Sequence, residues 1–401
     1  MTAPINQHLR RLAAGLASAA LSLAAHAQEV GVTDKEILIG EVLMLSGPAA
    51  FIGKSAFVGS KLAAAEINAA GGVLGRQLKV LYEDDGYVPA RSVSAVRKLI
   101  DVDKVFAITG TTGGSGVTAI MPVIEQAGIP TIVHVAPNAA VLNPRKPTVF
   151  MIGPDYDVAA YEGLRYLVEK QNRKGARFAV LYQNDDYGKG VLRGFQKAVR
   201  ELGLNAVAEV PYQRGAKDFS AEALKLKEAG ADVLYLGTTV TEPGGILSET
   251  RRLGMEMTVL GNWAAGLSAT IRLAGPAGYD YFFNDYYAAL NDPAGQRIVQ
   301  SAQKHLSRDE QSSLSRYSIS GYVGIYTMAE AIKRCANRVT RACVTEQLGR
   351  LKDFDTGGLS GPISLNNPQG HAVPALKMFQ VNAKDGSLRA VTDFMPYAGS
   401  R

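Results

Sequence analysis

Histidine and cysteine are scarce in this chain, and each scarcity closes off a kind of chemistry. Of the five histidines in 401 residues, His8 and His26 fall within the first 27. The others, His134, His305 and His371, stand alone, with no partner at a metal-ligand spacing. Cysteine occurs only as Cys335 and Cys343, too few thiolates for a zinc site with no histidine nearby. Long runs of one charge are also missing. The net charge of +6 is spread along the chain, which argues against nucleic acid as a partner. The apolar stretch Leu12 to Ala25 is too short to cross a bilayer. Catalytic signatures fall short too. Gly47 to Ser55 is one residue too long for a phosphate-binding loop, and Pro48 stands where its first glycine belongs. Gly113 to Val117 resembles a nucleophile elbow but lacks the final glycine. No catalytic residue, metal or cofactor is expected.

What is present begins with a leader. Arg10 and Arg11 precede the apolar stretch, and Ala25-His26-Ala27 reads as a cleavage site for an exported protein. Residues 1–27 are therefore expected to be a signal peptide. Gln28 follows instead of a cysteine, which argues against a lipid anchor. Export places the rest in an oxidising compartment, where Cys335 and Cys343 are expected to form a short-loop disulfide between a helix end and the next helix start. The alternative is a pair of free buried thiols.

The most informative stretch is Glu36 to Asp85. An apolar strand, Ile37 to Leu43, breaks at Ser46-Gly47-Pro48. A helix is predicted from about Ser55 to Ala70, with Val58, Leu62, Ala65 and Ala69 on one face and Gly71-Gly72 as its stop. A second strand, Leu78 to Tyr82, completes a strand–helix–strand unit with parallel strands. Ligands in such sheets sit beyond the carboxyl ends of the strands.

This stretch closely resembles the periplasmic branched-chain amino-acid (Leu/Ile/Val) binding proteins, the type I solute receptors of ABC importers. The carrying residues are Leu45 to Pro48, Gly53, Gly59, Ala65 to Asn68, Ala70 to Gly72, Gly75-Arg76 and Asp84-Asp85. The resemblance implies an α/β fold of two doubly wound parallel-sheet lobes joined by hinge crossings. It implies closure around a small amino acid or carboxylate, and delivery to an ABC permease from the periplasm. A disulfide common near the first binding loops of the family is absent, because Gly86 and Gly113 occupy those places.

Strands and helices alternate through the rest of the chain, and the pattern restarts near Pro154. The segment Gly278 to Tyr287 is an aromatic strand, and Pro362 to Leu365 and Leu376 to Val381 read as strands in the tail. The resemblance implies that residues 28–154 and about 284–370 build one lobe. Residues 155–283 and about 371–401 build the other.

For the site, the loop from Gly110 to Gly116 carries Thr111, Thr112 and Ser115 between a strand end and a helix start. Backbone N–H groups there suit a carboxylate, although an ordinary turn with Ser115 as helix cap reads equally well. The resemblance favours the carboxylate and places it on Thr112 to Ser115 and on Ala136, Pro137 and Asn138, with Ser46, Phe51 and Ile52 at the pocket mouth. From the second lobe it implies Tyr187, Thr239 and Trp263. Where amino-acid-binding relatives carry a glutamate for the ligand ammonium, this chain has Asn262-Trp263. Loss of that acid favours a carboxylate with an apolar or aromatic body, with Glu242 or Asp186 as substitute acids if the ligand is an amino acid. A sensory subunit of the same fold is the other reading.

Overall fold

The computed structural model describes residues 29–397 apart from 111–112, 139–140, 142, 267–279, 337, 367–371, 374 and 383. The first sheet is wholly parallel, in the order β2-β1-β3-β4-β5. Its strands are β1 (Glu36–Leu43), β2 (Gln77–Asp84), β3 (Ala107–Thr109), β4 (Thr131–Val133) and β5 (Val149–Met151). The helices between them are α1 (Ala50–Ala69), α2 (Pro89–Arg97) and α3 (Gly114–Ala127). Period-two alternation divides β1 between two cores. Ile37, Ile39 and Leu43 join the cluster that holds α1, whereas Leu38 and Val42 join the one that holds α2 and α3.

The second sheet runs β12-β11-β10-β9-β8-β6-β7. It contains α4 (Tyr156–Lys170), β6 (Arg177–Gln183), α5 (Asp186–Leu202), β7 (Asn205–Tyr212), α6 (Ser220–Glu228), β8 (Val233–Gly237), α7 (Glu242–Arg252), β9 (Thr258–Asn262) and β10 (Asp280–Asp285). The chain then supplies α8 (Pro293–His305), α9 (Arg308–Gln311), α10 (Arg316–Arg334) and α11 (Arg341–Gly349). Of these, α8 and α10 pack on α1 in the first lobe. The chain returns as β11 (Ala375–Val381), β12 (Leu388–Ala390) and β13 (Met395–Pro396).

The second sheet is therefore not uniformly parallel. β11 re-enters from the far lobe and pairs antiparallel with β10. Pro362 to Leu365 is not a strand; Ile363 makes a single bridge with Phe354. Two helices begin earlier than their apolar periodicity suggests, α1 at Ala50 and α3 at Gly114.

The contact of α1 with α10 is exceptionally close. A Cβ on Gly59 would lie 1.8 Å from the Ser318 carbonyl oxygen, and one on Gly321 would lie 2.1 Å from that of Ala56. Ser55 bonds the hydroxyls of Ser315 and Ser318 at 2.6 and 2.9 Å across the same seam. His134 is a core residue here, its Nδ1 2.9 Å from the Ser320 hydroxyl. Cys335, at the end of α10, is disulfide-bonded to Cys343 in α11.

Candidate functional site

The carboxyl ends of both sheets face one another across a small cavity of about 30 Å³. The first lobe supplies Met44 and Ile52 after β1, Tyr87 after β2, Gly113 and Gly114 at the start of α3, and Ala136 after β4. The second supplies Tyr156, Tyr187, Thr239, Trp263 and Ala264, each near a helix start or a strand end. Tyr317, from the first turn of α10, completes the wall.

The wall is aromatic because its rings pack on each other. Trp263, 1% exposed, stacks on Tyr156 at 5.4 Å and meets the edge of Tyr286 at 4.8 Å. Tyr156 stands edge-on to Tyr187 at 4.7 Å. Hydrogen bonds fix the rings in place. Tyr187 donates to the Thr238 carbonyl at 2.9 Å, and Tyr317 donates to the Trp263 carbonyl at 3.2 Å. Burial raises the hydroxyls of Tyr156 and Tyr187 well above the ordinary phenol range, and burial with the nearby Asp185 charge pushes Tyr87 up to about 12. These tyrosines are neutral donors at physiological pH, so the wall carries no charge.

Polarity enters at the α3 terminus. Gly113 occupies the cap position, and no side chain caps the helix, so its first N–H groups and the positive end of its dipole lie at the cavity. Approach requires a glycine at 113, where a Cβ would fall 2.0 Å from the Tyr87 ring; at Gly114 a Cβ would press on the Asn138 amide at 3.1 Å and be in ordinary contact with the Tyr187 backbone nitrogen of the opposite lobe at 3.4 Å.

The residues singled out from sequence are dispersed differently from expectation. Ala136, Tyr187, Thr239 and Trp263 line the cavity together. Asn138 lies behind it and donates to the Gly114 carbonyl at 2.8 Å. Ser115 sits inside α3 and is not its cap; its hydroxyl accepts from Arg214 at 3.1 Å. Ser46 is turned to Asp84, donating to that carboxylate at 2.6 Å. Phe51 is 40% exposed and lines a different hollow. Thr112, with Thr111, lies outside the described residues. The Thr239 hydroxyl is committed to Glu242, 3.2 Å away. Glu242 is buried, and burial raises its carboxyl above the usual range. Neither Glu242 nor Asp186 is among the residues that line the cavity.

Sequence reasoning did not single out Tyr87, Tyr156, Tyr317 or Arg214. Tyr87 and Arg214 both follow strand ends, so the rule that ligands sit beyond the carboxyl ends of strands could have found them. Arg214 is the main polar link between the lobes. It donates to the Tyr87 carbonyl at 2.8 Å and to Ser115, forms an ion pair with Asp185, and lies 4.1 Å over the Tyr87 ring. Burial opposes its charge, but Tyr87 and Asp185 outweigh that and raise its pKa.

Comparison with known proteins bears on this arrangement. Residues 36–387 match a family model described as periplasmic binding protein. A Leu/Ile/Val-binding protein homolog from Brucella melitensis is 26% identical over 360 residues, covering 85% of this chain and 94% of the relative. Among solved structures, a fatty acid ABC transporter substrate-binding protein from Thermomonospora curvata superposes with a TM-score of 0.81 at 25% identity, covering 93% of this chain and 95% of that one. A solute-binding protein of an ABC transporter from R. palustris, in complex with 4-hydroxybenzoate, gives a TM-score of 0.78 at 18% identity, covering 90% and 98%. The last shares the fold.

Proposed function

The chain belongs to the periplasmic binding protein family, whose members are substrate-binding receptors, and from that membership we propose that it captures a small carboxylate or amino acid between its lobes for an ABC importer. The observation that carries this reading is the cavity itself, walled from both lobes and narrowed to about 30 Å³. That volume is too small for an amino acid, so a ligand enters only when the lobes part. It then stabilises closure through contacts that exist only in the closed form.

The ligand carboxylate is assigned to the N–H groups of Gly113 to Ser115 and to the Ala136–Asn138 loop. Tyr187, Thr239 and Trp263 form the opposing face. The wall offers no acid to an α-ammonium, and a buried ammonium without one is costly. The reading therefore favours an acid with an apolar or aromatic body, in keeping with the fatty acid and 4-hydroxybenzoate named for two structural neighbours. The leader at residues 1–27 supports export, and a membrane permease is the partner this reading requires. No helix among the described residues is long and apolar enough to cross a membrane. The chain is proposed to be non-catalytic.

A thermal-shift screen of residues 28–401 tests the reading, because a ligand that binds only the folded protein raises its melting point. Aromatic or aliphatic acids are expected to shift it more than leucine, isoleucine or valine. A strong shift with those amino acids alone would overturn the assignment of Trp263. No shift with any of them would favour a sensory role or a different ligand class.

A further inference from the structure

Apart from the inter-lobe cavity, a hollow of about 330 Å³ opens among α1, α8, α10 and the segment 354–359. It shares no lining residue with that cavity, and its volume lies in the range of small-molecule sites. Helical period shapes it. Ala294, Arg297, Ile298 and Ser301 follow one face of α8, and Tyr322, Val323 and Tyr326 follow one face of α10. Glu66 of α1 ties the two helices together, accepting from the Ser301 hydroxyl at one carboxylate oxygen and from the Tyr322 hydroxyl at the other.

Three charged residues line this hollow, and they are not equivalent. Arg297 and Asp355 are exposed, and both are held by Gly357: Arg297 donates to its carbonyl, and Asp355 accepts its amide at 2.7 Å. Their opposite charges offset each other at the rim. Glu66 is only partly exposed. The partners of its carboxylate among the described residues are those two hydroxyls, so no cation balances it there. Each of its oxygens can accept one more hydrogen bond. Tyr322, which bonds it, stacks on Tyr326 at 4.7 Å with the rings 18° from parallel. Ring faces attract cations, as a carboxylate does. Thr356 adds no free polarity, because its hydroxyl accepts the Ser360 amide at 2.9 Å and donates to the Ser360 carbonyl at 3.2 Å. Ile298, Val323, Phe354 and Leu359 supply apolar wall.

We propose that this hollow binds a small primary amine with an aromatic or apolar body. Its ammonium lies on Glu66 and against the Tyr322–Tyr326 pair, and its body lies among Ile298, Val323, Phe354 and Leu359. An acid of the same shape is disfavoured because its charge would meet that of Glu66. The hollow thus prefers the charge opposite to the one assigned to the inter-lobe cavity. Its walls lie outside the second sheet, so its occupant does not bridge the lobes and needs no closure to bind. The site goes beyond the inter-lobe reading and does not depend on it.

Calorimetric titration of the purified protein with 2-phenylethylamine, and with 2-phenylethanol as the uncharged control, tests the proposal. The amine is expected to bind one to one, and the alcohol at least tenfold more weakly. Glu66→Gln keeps hydrogen-bond partners for Ser301 and Tyr322 but removes the charge, and should bring the amine down to the level of the alcohol. Ala294→Trp fills the hollow and should weaken the amine at least tenfold. Tyr326→Leu keeps an apolar side chain but removes a ring face, and should weaken the amine more than the alcohol. Thermal melts show that each variant is folded. Absence of amine binding, equal binding of the alcohol, or unchanged binding in both Glu66→Gln and Ala294→Trp overturns the proposal. Amine binding that survives Ala294→Trp but is lost in Trp263→Ala also overturns it, by placing the amine in the inter-lobe cavity.

Discussion

Arg214→Ala is expected to weaken ligand binding without unfolding the protein. Arg214 gives the first lobe two hydrogen bonds from a charged donor, to the Tyr87 carbonyl at 2.8 Å and to the Ser115 hydroxyl at 3.1 Å. Bonds of this kind are worth about 1.5 kcal/mol each at the low end, and the low end applies because the side chain is 26% exposed. Its position over the Tyr87 ring adds about 0.5 kcal/mol. Partial replacement by water in the open form lowers the sum to about 2–3 kcal/mol of preference for closure. Where closure depends on ligand, that preference appears in the affinity, as a rise in Kd of roughly 30- to 150-fold. Titration calorimetry measures it, small-angle scattering should show a larger radius at a fixed subsaturating ligand concentration, and circular dichroism checks the fold. A Kd within twofold of the wild type, in a variant that melts normally, would refute the clasp.

Other consequences can be checked on the same material. Glu242 has its folded-state carboxyl raised by burial, so the stability linked to its proton is present below the ordinary carboxylate pKa and is lost as pH rises through the raised value. Glu242→Gln should therefore raise the melting temperature at about pH 7.5 and change it little at about pH 4; an equal change at both would contradict the assignment. Gly59→Ala forces apart two backbones that meet at a Cβ distance of 1.8 Å, and should cost roughly 3 kcal/mol or more in urea unfolding. Reduction of the Cys335–Cys343 bond, which spans a separation of 8 residues, should lower stability by about 2.5 kcal/mol through loop entropy, read as a drop in the urea midpoint.

Much of the first lobe was legible because its elements obey local rules. β1 reads as an apolar run, the apolar face of α1 recurs with helical period, and Gly71 and Gly72 carry the positive φ that ends the helix. The helix starts were less legible. Phe51 and Ile52 fell outside the expected helix because the apolar periodicity is legible only from Val58 on, yet α1 already includes them. Gly113 to Gly116 read as a turn because glycine disguises a helix start, yet α3 begins at Gly114. At the site, Tyr187 and Trp263 were found through the family resemblance, and for Trp263 its place at the carboxyl end of a strand, where ligands lie, agreed with it. Tyr317 was not, since only tertiary packing brings the first turn of α10 over that cavity. Ser46 has the right position but is held by Asp84, a bond between residues 38 apart that no local pattern displays.

The glycine seam between α1 and α10 also sets an order of events. Gly59 and Ser318 come from opposite ends of the chain, so α1 has no partner for its inner flank until synthesis has passed residue 334. Residues 156–285, by contrast, already hold β6 to β10 with their helices. The later lobe can therefore consolidate first, while the earlier one waits for a contact of high sequence separation and folds slowly. A seam in which backbones approach this closely makes the final packing of the amino-terminal third depend on a helix from the carboxyl-terminal third.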